Sequence, residues 1–468
     1  MVLPSKSLNT SITAKIGQFV SETAAKDLPE DALEQARRAI MDYIGVSLAG
    51  SREELGRMVV DYAKSMGGVG KSTIIGSGLQ TSPSLAALAN GTMGHAMDYD
   101  DYAMAIGGHP SVALAPAIFA IGETVGASGK DVMAAYVVGY EAACCIAGPL
   151  AQSHYTRGWH NTATFGGLGA AAAAAWLVKL SAWEVRMALG IAASTVGGLR
   201  QNFGTMTKPL HAGNAAAHGV VAVLLAQRGF TSSENIVEAP MGFAKVFGHD
   251  EEVDWGKASK DLGKSFAITA VTGGLIFKPY PCCGGNHCGI DAARYIKQEF
   301  KVEPQEIAEV ELGVSPFVRQ VLIHHHPRTS LEGKFSLEYN VARALISGTV
   351  RLEHMSDNAV NDPQIQSLMA KMKWVNKYPM PVWAEGSGPT TVTVRLRDGR
   401  EFSKEVAFAK GTPQNPLNPE EFQSKYRDCA SIVLSKEDTE KSSSLLADLE
   451  KVKDIKEITE IVGRRTSD

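Results

Sequence analysis

Residues 278–287 read Lys-Pro-Tyr-Pro-Cys-Cys-Gly-Gly-Asn-His, so an ammonium, two thiols and an imidazole crowd into one short run. Proline and glycine keep such a run out of helix and strand, and a loop on a rigid scaffold can aim its side chains at a ligand. The plain alternative is a solvated loop with two buried thiols. Cys282, Cys283, His287 and Cys288 are zinc-ligand types, but structural zinc takes Cys-x2-Cys pairs at two separated places. The chain has no second such pair, so neither zinc nor an iron–sulfur cluster is expected.

Four other stretches carry groups with chemistry. Asp98-Tyr99-Asp100-Asp101 offers three carboxylates. They suit Mg²⁺ as hard oxygen ligands, or proton transfer and ring orientation beside His109, or merely helix capping and solvated charge. His160, between Trp159 and Asn161, stands at the entry of a glycine- and alanine-rich helix. There it is a cap, a packed ring, or a neutral general base whose pKa burial sets. Lys208 precedes Pro209 at another helix start, where it adds a point charge to a place that already attracts anions. His211 and His218 share a face of that helix, where a lone histidine is ordinarily structural. Residues 67–73, Gly-Gly-Val-Gly-Lys-Ser-Thr, look like a phosphate loop. Ser65 replaces the required first glycine, an amphipathic helix precedes the segment and a short strand follows it. It is therefore read as a helix stop and turn.

At 468 residues the chain is too long for one ordinary core, and two domains are expected. With 44% hydrophobic and 21% charged residues and a net charge of -4, nothing points to nucleic acid. Six cysteines, four of them in the adjacent pairs Cys144-Cys145 and Cys282-Cys283, argue for reduced thiols and a cytoplasmic home. The first fifteen residues lack an apolar signal core. The most membrane-like run, residues 163–178, is too short and too rich in alanine and glycine to face lipid, and reads as a buried helix.

Helical periodicity covers residues 31–48, 110–125, 130–147, 162–180, 182–195 and 209–228, with Pro209 in a first turn. After about residue 265 the pattern changes. Residues 306–314 place Ala308, Val310, Leu312 and Val314 on one strand face. Residues 390–396 alternate likewise, and Asp398-Gly399 reads as a two-residue hairpin turn before residues 401–408. Helices are expected over 289–299 and 337–347. Beyond a proline-rich connector at 413–419, Leu445, Leu449, Val452, Ile455, Ile458 and Val462 form one apolar helical stripe. That helix is expected to rejoin the first body. The fold class is mainly α. A large all-helical domain (1–267 plus 410–468, discontinuous) accompanies a smaller α+β domain (268–409).

Several of these segments together resemble the MmgE/PrpD family, which includes 2-methylcitrate dehydratase, cis-aconitate decarboxylase and iminodisuccinate epimerase. The resemblance spans nearly the whole chain. It runs through ARRAIMDYIGVSLAG (36–50), GHAMDYDDYAMAIGGHPS (94–111), GWHNTATFGGLG (158–169), TMTKPLHAGNAAAHG (205–219), APMGF (239–243), residues 277–288 and FSLEYN (335–340). It implies a helical domain with a lid-like α+β domain, a homodimer, and cofactor-independent chemistry on small di- or tricarboxylates. Asp98, His109, His160, Lys208, Lys278 and Tyr339 match the decarboxylase pocket. Tyr102 stands where that pattern has threonine, and Cys283 where it has histidine. The interval from Asp98 to His109 is also one residue longer.

The expected activity is a lyase, dehydrating or decarboxylating a polycarboxylate such as 2-methylcitrate or cis-aconitate through a carbanion or enolate. Dicarboxylate epimerisation and noncatalytic polycarboxylate binding are the alternatives. Lys208, Lys278 and Tyr102 would bind substrate, with both lysines partly exposed. His160, His109, Asp98, Tyr339 and Cys283 would carry the chemistry, His160 first among them. No metal, cofactor, nucleic acid or membrane is expected to take part.

Overall fold

The computed structural model describes residues 11–248, 253–383 and 386–465. These fall into two compact units. One gathers described residues of Met1–Ala96, Asp100–Ala270 and Pro419–Asp468; the other takes Met97–Tyr99 with Val271–Asn418.

The first unit is helical. Its main helices are α1 (Ile12–Glu22), α2 (Glu30–Gly50), α3 (Pro83–Gly94), α4 (Ser111–Val125), α5 (Gly129–Ala147), α6 (Asn161–Leu177), α7 (Ala182–Ala193) and α8 (Thr207–Ala226). Helix α6 is the axis of the core and packs against α4, α5, α7 and α8. Its six alanines, Ala170 to Ala175, are all fully buried. Small side chains let backbones approach. A Cβ added at Gly139 on α5 would lie 2.6 Å from the Ala173 Cβ and 2.7 Å from the Gly169 carbonyl oxygen. Any larger residue at this crossing would force the two helices apart. Helix α5 starts with a capping box in which Ser128 and Asp131 satisfy each other's backbone N–H.

Helix α8 is long and apolar enough to cross a membrane by length and composition, the only one so among the described residues. Its apolar window is 67% buried in the protein, packed on α3 and α6. Pro209 is its third residue, inside the first turn as expected. The phosphate-loop-like segment leads into the strand Ser72–Ile74, which pairs antiparallel with Leu79–Thr81, so a strand and not a helix comes next. Glu123 locks this ribbon by accepting from Thr73 N–H at 2.7 Å and its hydroxyl at 2.6 Å.

The second unit carries a four-stranded sheet of β1 (Ile307–Val314), β2 (Met372–Asn376), β3 (Thr390–Leu396) and β4 (Glu401–Val406), in the order β2-β1-β3-β4. β1 and β2 are parallel, and the other two pairs are antiparallel. Helix α9 (His287–Phe300) packs on β3 and β4 and against α10 (Leu337–Ser347). Two expectations change here. A register shift between Ile307 and Glu309 turns Ile307 inward and leaves Ala308 exposed, because a bulge resets the two-residue alternation. The β3–β4 loop has three residues, Arg397 to Gly399. The Leu396 N–H meets the Arg400 carbonyl at 2.8 Å, and Gly399 takes φ 93. A three-residue loop with a left-handed glycine is the next common way to match strand twist.

The chain then completes the first unit with α11 (Pro419–Ala430), α12 (Lys436–Ala447) and α13 (Lys456–Val462). Lys425 on α11 pairs with Asp42 on α2 at 2.6 Å, both buried. The expected single C-terminal helix is broken. Asp448 leaves helical geometry with φ -114 and ψ 38, the 3₁₀ turn Leu449–Lys451 follows, and Asp454 accepts from Lys456 N–H at 2.9 Å to start α13. The apolar spacing marks the buried side of the segment. The aspartates decide where the helix stops.

Candidate active site

The three carboxylates at 98–101 have three different fates. Asp101 serves the start of α4: it accepts from the Ser111 hydroxyl at 2.6 Å, and that hydroxyl also meets the Tyr136 hydroxyl at 2.7 Å. Burial, then neighbouring Asp42, pushes the Asp101 carboxyl well above its ordinary range. Asp100 lies between two imidazoles. Its oxygens take His95 Nδ1 at 2.9 and 3.0 Å and His109 Nδ1 at 2.9 Å. Burial alone would raise the Asp100 carboxyl; the facing imidazoles His95 and His109 outweigh it and hold the group well below the usual range. The third, Asp98, belongs to the other unit.

Around this dyad the helical unit builds an imidazole cluster. The His95 ring centroid is 4.5 Å from that of His109 and 5.9 Å from that of His160, stacked on the latter. Tyr102 is half-buried with its ring 6.2 Å from His109. The His109 N–H is anchored on the Thr162 hydroxyl at 3.0 Å, in the first turn of α6. His160 is the N-cap residue of α6, yet its side chain makes no capping bond. Its Nδ1 instead faces His211 Nδ1 at 3.1 Å. The Phe203 ring lies 5.0 Å from the His160 ring and 5.2 Å from the Lys208 ammonium, so imidazole and cation share one aromatic wall. Lys208 is 4% exposed, not partly exposed as expected, because α8 sets it in the packed interior.

These surroundings keep the rings neutral. Burial pushes His160 well below its ordinary value, and Lys208, His95, His211 and His109 add to the effect. His95 falls to about 3, chiefly by burial, against the pull of Asp100. His211 falls to about 4, by burial and then Lys208. For His160 desolvation is the largest cause and the nearby ammonium the second. His95, Asp100 and His109 bring their ligand-type atoms within 4.8 Å of one another, a divalent-cation spacing; their mutual hydrogen bonds account for the grouping.

Asp98, Lys278, Cys283 and Tyr339 lie in the second unit. The Lys278 ammonium donates to the Asp98 carbonyl at 2.6 Å and stands 3.2 Å from its carboxylate. Lys278 is fully buried, so it too departs from the expected partial exposure. Cys283 is half-buried and donates its N–H to the Lys334 carbonyl at 3.0 Å. Cys282 is buried and its thiol is pushed well up by desolvation. His287 engages the Cys282 carbonyl at 3.2 Å, as a packed loop would have it. The buried Tyr339 hydroxyl donates to the His354 carbonyl. All six cysteines are free thiols.

Sequence reasoning left His95 unassigned, did not single out Asp100 among the three aspartates, and read His211 as ordinarily structural. His95 and Asp100 fall inside the quoted motif GHAMDYDDY, but five residues apart is no helical register. His211 is 51 residues from its partner His160.

The helical body thus carries an imidazole–carboxylate cluster beside a buried ammonium. Residues 14–256 match the MmgE/PrpD N-terminal domain and residues 280–451 the MmgE/PrpD C-terminal domain. The chain belongs to the MmgE/PrpD family. It is 27% identical to the cis-aconitate decarboxylase of Mus musculus over 97% of this chain and 93% of that one. It is 26% identical to that of Homo sapiens (97% and 94%) and 26% identical to that of Aspergillus terreus (97% and 96%).

Proposed function

We propose that the protein is a cofactor-independent lyase that decarboxylates or dehydrates a small polycarboxylate, with cis-aconitate the first candidate and 2-methylcitrate the second. The family and the names of its curated relatives support a lyase at the coarse level. One observation carries the chemical reading: a neutral, buried His160 shares the Phe203 ring with the Lys208 ammonium. Lys208, near the amino end of α8, fixes a carboxylate where dipole and charge both favour it. Loss of CO2, or removal of a proton ahead of water loss, leaves an electron pair on carbon that an adjoining carboxylate spreads. Fixed cations and donors stabilise that charge as it develops. His160 exchanges the proton, and His109, held by Asp100, is the second acid–base group. Asp98, Tyr102, Lys278, Cys283 and Tyr339 are proposed as further pocket residues because they lie in the motifs that carry the family pattern. The working species is proposed as a homodimer.

The test is proton NMR of cis-aconitate, 2-methylcitrate and iminodisuccinate, each incubated with the protein in deuterated water. A new vinylic product supports the lyase. Deuterium exchange without net conversion would replace it with an epimerase, and binding without either would leave a polycarboxylate-binding protein. His160→Gln should keep the fold and lose about 100-fold in turnover, the scale of general acid–base assistance.

A further inference from the structure

The contact between His160 and His211 has a consequence for how His160 works. Two neutral imidazoles whose Nδ1 atoms face each other at 3.1 Å hold one proton between them. With that proton on His160, its Nε2 is bare and basic. With it on His211, His160 must carry its proton on Nε2 and is an acid. We propose that His211 is a proton relay acting through His160, so that transfer along the Nδ1–Nδ1 line switches His160 between base and acid. This rests on the reading of His160 as the group that exchanges a proton with the substrate.

The step balances. When His160 Nε2 takes a proton from a substrate carbon, the C–H electron pair stays on that carbon. The Nδ1–H bond of His160 breaks, an Nδ1–H bond forms on His211, and the positive charge rests on the His211 ring. When a carbanion is quenched, every movement reverses: His160 Nε2 gives its proton to carbon and His160 Nδ1 recovers one from His211.

The surroundings favour putting the charge on His211. His160 is faced by Lys208 and by the rings of His95, His109 and His211, and is 2% exposed; His211 is 6% exposed and less strongly depressed. The arrangement is built by Gly198. Its carbonyl accepts the His160 N–H at 2.9 Å, while a Cβ there would lie 3.0 Å from His211 Cγ and 3.1 Å from its Nδ1. One residue thus fixes the backbone of His160 and leaves room for the ring of His211. His154 shows the contrasting structural case, with its Nδ1 bound to the Phe247 carbonyl and its Nε2 to the Thr164 hydroxyl, both at 2.8 Å.

The experiment uses His211→Asn, whose amide reaches about where the imidazole Nδ1 sits. It can hold His160 by a hydrogen bond but cannot take up and return a proton. With cis-aconitate as the probe, kcat should fall about 100-fold with KM little changed, the scale of a lost proton-transfer partner. Nitrogen NMR of histidine-labelled wild-type protein reads the relay without turnover. The His160 and His211 Nδ1 resonances should both lie between protonated and bare values, and His160 should collapse to one tautomer in His211→Asn. Normal kcat in His211→Asn beside a crippled His160→Gln would overturn the relay and leave His160 in place. Normal turnover in His160→Gln would remove both. If cis-aconitate is not turned over, fixed tautomers in the wild-type nitrogen spectrum overturn the relay and shared ones support it.

Discussion

Lys278 holds Asp98 twice, through the main-chain carbonyl at 2.6 Å and the carboxylate at 3.2 Å, and Asp98 sits at φ 50 to receive it. A non-glycine residue in left-handed geometry persists only where its surroundings impose it. Here the imposing group is a fully buried ammonium. Removing one partner of a buried pair strands the other charge. Lys278→Ala should therefore destabilise the protein by about 3–5 kcal/mol, and Lys278→Met with Asp98→Asn should recover much of that. Denaturant titration of the three proteins checks it; a loss in Lys278→Ala below about 1 kcal/mol, the range of exposed pairs, would contradict it.

Lys208 should behave differently. Its ammonium lies 5.2 Å from the Phe203 ring, and it lowers the pKa of His160. Lys208→Met should keep the fold, raise KM for a polycarboxylate and move the His160 pKa upward. Histidine NMR titration reads the second effect. An unmoved His160 would mean that the ammonium does not act on the ring.

Helix positions were legible because burial stamps a helical period on the sequence. The reading 31–48 lies inside Glu30–Gly50, and 337–347 coincides with Leu337–Ser347. Breaks within a periodic stretch were not, since Asp448 interrupts the C-terminal stripe without changing its apolar spacing. The individual site groups His109, His160 and Lys208 stood out by type and by helix-start position. Their partners did not. Which of three aspartates would face His109 depends on an irregular turn, and the choice of Asp100 follows from backbone geometry that no periodicity encodes.

Buried neutral histidines give stability a definite pH slope. His154 is pushed down to about 4, mainly by burial, while the unfolded side chain titrates near 6.5. Between those values the unfolded chain binds a proton that the folded one refuses, so stability falls as pH drops through this window. His154 alone contributes about 1.4 kcal/mol per pH unit there. Glu141 opposes the trend: burial raises it to about 7, so the folded state keeps a proton that the unfolded carboxylate has lost. The comparison is therefore with a variant. His154→Met should show a shallower loss of stability from pH 6.5 to 4 than the parent, and parallel curves would show that His154 is not neutral in the fold.

Asp100→Asn probes the dyad with little change of shape. The carboxylate accepts from both His95 Nδ1 and His109 Nδ1, which leaves Nε2 of the neutral His95 ring without a proton. An asparagine offers one oxygen and one NH2. His109 Nδ1 also faces the Asp101 carbonyl at 2.9 Å and keeps its Nδ1–H there, so His95 is the ring that must turn an Nδ1 lone pair to the amide and carry its proton on Nε2. The ring stacked on His160 then changes its dipole. Turnover should fall about 100-fold or more, as for a misplaced acid–base proton, with circular dichroism and substrate affinity close to the parent. The tautomer change itself should appear in the nitrogen spectrum of labelled histidines. Full turnover with an altered His95 tautomer would show that the Asp100–His95 contact does not act on the chemistry.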